Sequence, residues 1–340
     1  MTFSRAPSPP VPAGAPADPA LPPESHAGVR AVYRAHPGFE ADLTETLRRA
    51  GVRLSGWQGE LALSPDAAVT CPWALDVWTA PRLLPVPSIK GAASALRAIQ
   101  RNWALCSTGN HRRAALIEAA LPPVKARPVA FPAPVPTAPL GGWTLLRPEL
   151  MLASPEKTSP YPTGAPVLVE DHEGPPSRAY LKLWEAFLAA RHWPGPGDSC
   201  LDLGACPGGW TWALAKLGAR VVAVDKAPLD PRVAAMPGVS VRQESAFGLD
   251  PRTHPEVDWL LSDVICYPAR LLGLVRRWIE AGKARHMLCT IKFQGSTDHD
   301  TAAEFAAIPG ARLTHGVYNK HELMFHWSRP GEEGHGPGAV

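Results

Sequence analysis

Two groups of residues in this chain have types and spacings that can do chemistry. The first is Asp202-Leu203-Gly204-Ala205-Cys206-Pro207-Gly208-Gly209-Trp210, a short apolar run that breaks into a glycine turn, with Asp225 at the end of the next β-branched run. A strand, a glycine turn and a helix present free backbone N–H groups at the helix start, and a carboxylate ending the following strand can take ribose hydroxyls. The second group is Asp263 after WLLS, Lys292 after MLCTI and Glu322 ahead of LMFHW, each beside an apolar run where an unpaired charge is costly. Burial beside one another offsets that cost.

The glycine spacing selects the ligand class. Dinucleotide turns use G-x-G-x-x-G, whereas here the pattern is Gly204-x-x-x-Gly208-Gly209 with Asp202 just before it. A carboxylate there repels a pyrophosphate and suits an ammonium group such as the amino end of S-adenosylmethionine. A methyl donor is therefore expected in preference to NAD. Methyl transfer to a ribose hydroxyl then needs an aligned oxygen and a group to remove or steer its proton. Lysine serves if a second ammonium and partial desolvation lower its pKa, and Lys182 can supply that ammonium while Asp263 and Glu322 orient the pair.

The elements that must position these groups follow from periodicity. After the turn, Trp210 to Leu217 reads as a helix ended by Gly218, and Arg220 to Val224 as a strand. Strands are expected at 239–241, 257–262, 286–292, 311–314 and 324–327, and helices at 177–191, 267–281 and 298–308. This alternation is a doubly wound α/β sheet with helices on both faces, and ligand groups collect at the carboxyl ends of its strands. Ahead of it, strands at 29–35, near Arg53, at 60–63, 73–79 and 104–107, with helices at 38–50, 88–103 and 112–121, predict a small α+β domain over 29–121. Seven prolines between Leu121 and Leu140 mark an extended connector, and 122–170 is expected to hold it with strand-like pieces at 143–153 and 165–169. The methyl-donor domain is then 171–328. Residues 1–28 and 329–340 are too rich in Pro, Ala, Gly and charge to order themselves and are expected to be tails.

A net charge of +3 hides an asymmetry: Arg82 to Glu149 carries nine Lys or Arg against two Glu. A basic domain beside an acidic one suits a polyanionic partner, with Lys90, Arg97, Arg101, Arg112, Arg113, Lys125 and Arg127 as candidate phosphate contacts. The six cysteines show no C-x-x-C pair or zinc-type His spacing, so no metal is expected and the thiols suit a reducing cytoplasm. No window is apolar for long enough to span a bilayer, and no signal-peptide pattern opens the chain. The oligomeric state is left open.

The order Lys182, Asp263, Lys292, Glu322 resembles the K-D-K-E tetrad of the FtsJ-type ribose 2′-O-methyltransferases, with DLGACPGGW as their donor motif. PPSRAYLKLWEAF at 175–187 is similar to the RlmM type among them, which act on cytidine in large-subunit ribosomal RNA, and HPGFEADL at 36–43 is similar to that family's start. The resemblance implies a Rossmann-like methyltransferase sheet behind an RNA-binding region that includes a THUMP domain. It further implies that Asp202, Gly204, Cys206, Pro207, Gly208, Gly209 and Trp210 form the donor loop and that Asp225 takes the donor ribose. By the same likeness Ser245, or Glu244 beside it, faces the adenine where the family has Asp, Asp263 lies between donor and acceptor, and Lys292 accepts the proton. A serine of the family's helix motif is Ala179 here. The competing reading is a non-catalytic RNA-binding scaffold, against which four matched charges argue.

Overall fold

The computed structural model describes residues 28–332, so most of both expected tails lies outside the described residues. Arg329 and Glu332 are within them and are not loose: Arg329 pairs with Glu256 at 3.0 Å, and Glu332 pairs with Arg285 at 3.1 Å.

The chain begins with β1 (Ala31–Ala35), α1 (Glu40–Arg49), β2 (Gly56–Gln58), β3 (Leu61–Ser64) and β4 (Ala74–Trp78). These strands form an antiparallel sheet in the order β2-β3-β1-β4. Leu43 and Leu47 of α1, four residues apart on one face, are buried against it, as the spacing requires.

A second sheet follows, built from β5 (Arg82–Pro85), β6 (Trp103–Leu105), β7 (Gly141–Arg147) and β8 (Leu150–Ser154), with α2 (Ile89–Ile99) and α3 (His111–Ala119) packed on it. Its order is β5-β8-β7-β6. The β7–β8 hairpin beyond the proline-rich connector thus completes a sheet begun before it, and the pairing runs across the expected boundary at residue 121. A boundary drawn on composition does not see which strands pair. The strand β5 is absent from the sequence reading, while 165–169 contributes one bridge, Val129 to Leu168, in place of a strand. Helix α2 stops at Ile99, short of the expected Trp103, because Gln100 is extended. The Trp103 indole N–H then donates to the carbonyls of Leu96 and Gln100, both at 3.0 Å, and so pins the helix end. Val32, Leu61, Leu63 and Trp78 from the first sheet meet Cys106, Leu146 and Leu152 from the second in one buried cluster.

The third unit comprises α4 (Tyr180–Ala190), β9 (Ser199–Leu203), α5 (Gly209–Lys216), β10 (Arg220–Asp225), α6 (Pro231–Ala234), β11 (Val239–Gln243), β12 (Val257–Ser262), α7 (Pro268–Glu280), β13 (Ala284–Lys292), α8 (His299–Ala306), β14 (Ala311–Thr314) and β15 (Glu322–Ser328). Seven strands lie in the order β11-β10-β9-β12-β13-β15-β14, with β15 antiparallel to both β13 and β14 and the rest parallel. This is the expected Rossmann-like sheet. Helices α4, α5 and α6 bury one face through residues such as Tyr180, Trp210 and Val233. Helices α7 and α8 bury the other through Leu271, Trp278 and Phe305, in a core continuous with Tyr33, Leu43 and Trp73 of the first sheet. The joint is aromatic: Phe39 stacks on Trp73 with centroids 5.2 Å apart, and the His315 N–H donates to the Pro72 carbonyl at 2.9 Å.

Candidate active site

The strand order reverses beside β9, and the carboxyl ends of β9, β12 and β13 converge there with the start of β15. Asp263 is the residue after β12, Lys292 ends β13 and Glu322 opens β15, so three elements deliver three charges to one place. Lys182 arrives from α4, whose other side chains over 180–188 are all buried.

The four expected charges alternate in sign. The Lys182 ammonium donates to Asp263 Oδ1 and Oδ2 at 2.9 and 3.1 Å, and pairs with Glu322 Oε1 at 2.9 Å. The Lys292 ammonium pairs with Asp263 Oδ1 at 3.0 Å and donates to the Asp263 carbonyl at 2.5 Å. Both ammonium groups therefore touch one carboxylate oxygen. Burial alone would push Lys182 toward neutrality, but the two carboxylates outweigh it and hold its pKa above the usual lysine value. Its charge is thereby fixed in the position that can act on Lys292.

Beside this cluster lies the glycine turn. Gly204 has φ +80°, and a Cβ there would stand 2.8 Å from the Val264 Cα, so only glycine lets the turn pass against the Asp263-Val264 backbone. Gly208, at φ +114°, is the N-cap of α5 and has no side chain with which to cap it. Cys206 and Pro207 are exposed on the turn, and Gly209 is buried with the Ser177 hydroxyl 2.5 Å from where a Cβ would be.

The remaining donor-loop residues divide. Asp225 accepts from the Cys206 N–H at 3.0 Å and the Ala227 N–H at 2.9 Å, bracing the loop it was expected to serve. Ser245 is half-buried after β11, while Glu244 is engaged by Arg242 at 2.6 Å, which leaves Ser245 as the freer of the two. Trp210 is 2% exposed and its indole N–H donates to the Ala179 carbonyl at 2.9 Å. Its ring is a core anchor between α4 and α5, so any part of Trp210 in the donor loop falls to its backbone. Asp202 is 1% exposed beneath the loop. Thr211 donates its hydroxyl to Oδ2 at 2.6 Å, while Oδ1 is the one buried carboxylate oxygen without a partner among the described residues. Burial, reinforced by the charges of Asp263 and Asp225, pushes this carboxyl up to about 7 against the opposing Thr211 bond.

Two residues that the sequence reading missed support the cluster. Glu185 is buried one helical turn beyond Lys182 and accepts the N–H groups of Val317 and Tyr318 at 3.0 and 3.1 Å. In the same loop, Asn319 donates its amide to Glu322 Oε1 at 3.1 Å. The signal was present: Lys182 and Glu185 are the only charged residues of an otherwise apolar helix. Burial pushes the Glu185 carboxyl up to about 7 against its two backbone bonds.

Of the basic residues in the second sheet's unit, Lys90, Arg97, Arg101, Arg112, Lys125 and Arg127 are exposed. Arg97 donates to the Ala120 carbonyl at 2.9 Å and Arg113, half-buried, to the Pro148 carbonyl at 2.8 Å, so these two guanidinium groups also hold the fold. Among the described residues no cluster of metal-ligating side chains occurs, and no helix is long and apolar enough to cross a membrane.

Residues 175–282 match the FtsJ-like methyltransferase family. The matched span holds Lys182, the glycine turn, Asp225 and Asp263, while Lys292 and Glu322 lie beyond it. Among curated proteins, the ribosomal RNA large subunit methyltransferase M of Halorhodospira halophila is 41% identical over 135 residues, covering 39% of this chain and 39% of that protein. The protein of the same name from Methylococcus capsulatus is 39% identical over 176 residues, or 50% of this chain and 49% of that protein. The one from Azotobacter vinelandii is 35% identical over 156 residues, or 44% and 43%. The matched stretches span about half or less of the length of these relatives.

Proposed function

We propose that the chain is an S-adenosylmethionine-dependent methyltransferase acting on a ribose 2′-hydroxyl of large-subunit ribosomal RNA, with a cytidine as the target nucleotide. The observation that carries this reading is the contact between the two halves of the site: the Gly204 turn packs on the Asp263-Val264 backbone, and Asp263 joins both lysines. That contact supports a donor site and an acceptor site set side by side.

The residues fit the donor. The unpartnered Asp202 Oδ1 lacks a hydrogen-bond donor that an ammonium supplies, the start of α5 behind Gly208 suits its carboxylate, and the Asp225 carboxylate at the end of β10 suits ribose hydroxyls. When bound, S-adenosylmethionine supplies an electrophilic methyl group. Everything else falls to the chain. Lys182, fixed as an ammonium, anchors Asp263 and Glu322, and Asp263 holds the Lys292 nitrogen in place to steer or accept the hydroxyl proton. The first two sheets, with their exposed Lys90, Arg101, Arg112, Lys125 and Arg127, are read as the THUMP-type RNA-binding region that contacts phosphates.

Lys292→Ala tests the assignment. Methylation of ribosomal RNA by the variant should be abolished while calorimetric donor binding persists; undiminished turnover would sink the proposal, and a methylated base in the wild-type product would refute the ribose chemistry.

A further inference from the structure

The charge cluster is recessed. The side chains of Lys182, Asp263, Glu322 and Lys292 are 12, 18, 7 and 20% exposed. A ribose held in a stacked helical strand does not reach a group so enclosed, so the nucleotide that carries it must swing out and lose its stacking partners. Its base then needs another apolar face.

The loop after β12 offers one. From Asp263 onward the side chains alternate: Val264 packs under Gly204, Ile265 is 80% exposed, Cys266 is 9% exposed, and Tyr267 is 67% exposed. Ile265 and Tyr267 are the two most exposed large apolar side chains among the described residues. Tyr267 is the N-cap of α7 through its carbonyl, which accepts from the Arg270 and Leu271 N–H groups, but its side chain makes no cap bond, and Pro268 sets the start of that helix. One turn further, the Arg270 guanidinium lies 3.9 Å above the Phe247 ring, next to the Ser245 turn. Arg270 and Lys292 both act on the buried Cys266 thiol, opposing the rise that burial imposes on it. Ile265, Tyr267 and Arg270 thus share one exposed lip of chain that leads from Asp263 into α7, with Arg270 against the Phe247 ring that follows Ser245.

We infer that this lip receives the extruded base of an unpaired target nucleotide, with the Tyr267 ring as its stacking face, Ile265 as its apolar edge and Arg270 as the contact for a flanking phosphate. Base–aromatic stacking is tolerant of sequence, and an arginine beside it neutralises the backbone that the extruded nucleotide brings along. The inference rests on the proposed RNA chemistry for its purpose and adds the form of the substrate: single-stranded at the target, not duplex.

Binding can be read apart from methylation. A fluorescein-labelled short single-stranded RNA and the same strand in a duplex are titrated with the full chain in the absence of any methyl donor. The single strand should bind more tightly than the duplex. Tyr267→Ala should weaken single-strand binding about tenfold, within the range of one lost base stack, and Tyr267→Phe should restore it. Donor affinity and Tm should be unchanged in both variants. Equal binding by Tyr267→Ala, a preference for duplex, or failure of Tyr267→Phe to restore binding would overturn the inference, the last because it would move the contact from the ring to the hydroxyl. If the wild-type chain binds the single strand as expected but methylates no RNA, the lip stands and the proposed chemistry falls.

Discussion

Lys292 and Glu322 are direct partners in the β13–β15 ladder, yet their charges do not meet: the Lys292 ammonium turns to Asp263 while the Glu322 carboxylate turns to Lys182. The cross-strand register brings a base and an acid to the same edge, and the side chains then link through the other two members. Four charges that would each be costly in this setting are satisfied as two interleaved pairs.

That arrangement separates two roles for Lys292, charge and proton transfer. Lys292→Arg keeps the positive charge and the capacity to bond Asp263 but cannot be deprotonated. A proton acceptor at this position predicts a loss of methylation of about a hundredfold or more in the arginine variant, with donor affinity by calorimetry unchanged. Retention of most of the rate would reassign Lys292 to electrostatic stabilisation.

Asp202 predicts a pH dependence of stability. Burial raises its carboxyl to about 7 in the folded chain, so the fold favours the protonated form. The stabilisation is fully present below the unfolded pKa of about 4, and it is lost as pH rises through about 7. Asp202→Asn, which carries no charge at any pH, should match the wild-type Tm near pH 4 and exceed it increasingly up to pH 7, with a constant gap above. Parallel Tm curves across this range would show that Oδ1 already has a donor.

Glu185 and Gly316 predict a non-additive pair. A Cβ at Gly316 would fall within contact distance of Glu185 Oε2, so Gly316→Ala must displace the carboxylate from the Val317 and Tyr318 N–H groups. Glu185→Ala removes the same bonds outright, leaving the Val317 and Tyr318 N–H groups without their acceptor, at a cost of up to about 1–3 kcal/mol each where water does not replace it. The double variant should therefore cost less than the two single changes together by about 1 kcal/mol or more in urea unfolding. Strict additivity would mean that the clash and the clamp are independent.

How legible all this was in the sequence depended on whether a signal was local. The turn at 204–209 and the strands around it could be read because glycine spacing and β-branched runs are properties of adjacent residues. Asp263, Lys292 and Glu322 could be selected because each sits beside an apolar run, and Lys182 as the second ammonium that completes the Lys-Asp-Lys-Glu order. The path of the bonds among them depends on long-range register, as with Lys292 opposite Glu322, and sequence spacing does not carry it. The second sheet was misdivided for the same reason: β6 pairs in parallel with β7 across the whole proline-rich connector. The loop motif gives Trp210 its place in sequence, whereas the indole bond to Ala179 depends on how α5 docks against α4 and is not legible there.

Gly204 supplies the sharpest test of whether donor turn and charge cluster form one site. Any side chain there meets the Val264 backbone at 2.8 Å and must also adopt φ +80°, a conformation that costs alanine about 1–2 kcal/mol. Val264 follows Asp263 directly, so the strain can relax by moving the Asp263 backbone, whose carbonyl accepts from Lys292. Gly204→Ala should thus lower donor affinity and also slow methylation at saturating donor, the second effect arising because Asp263 no longer holds Lys292 in place. A variant that loses donor affinity but keeps its full rate at saturation would show that the turn serves the donor alone and that the contact with Val264 is only packing.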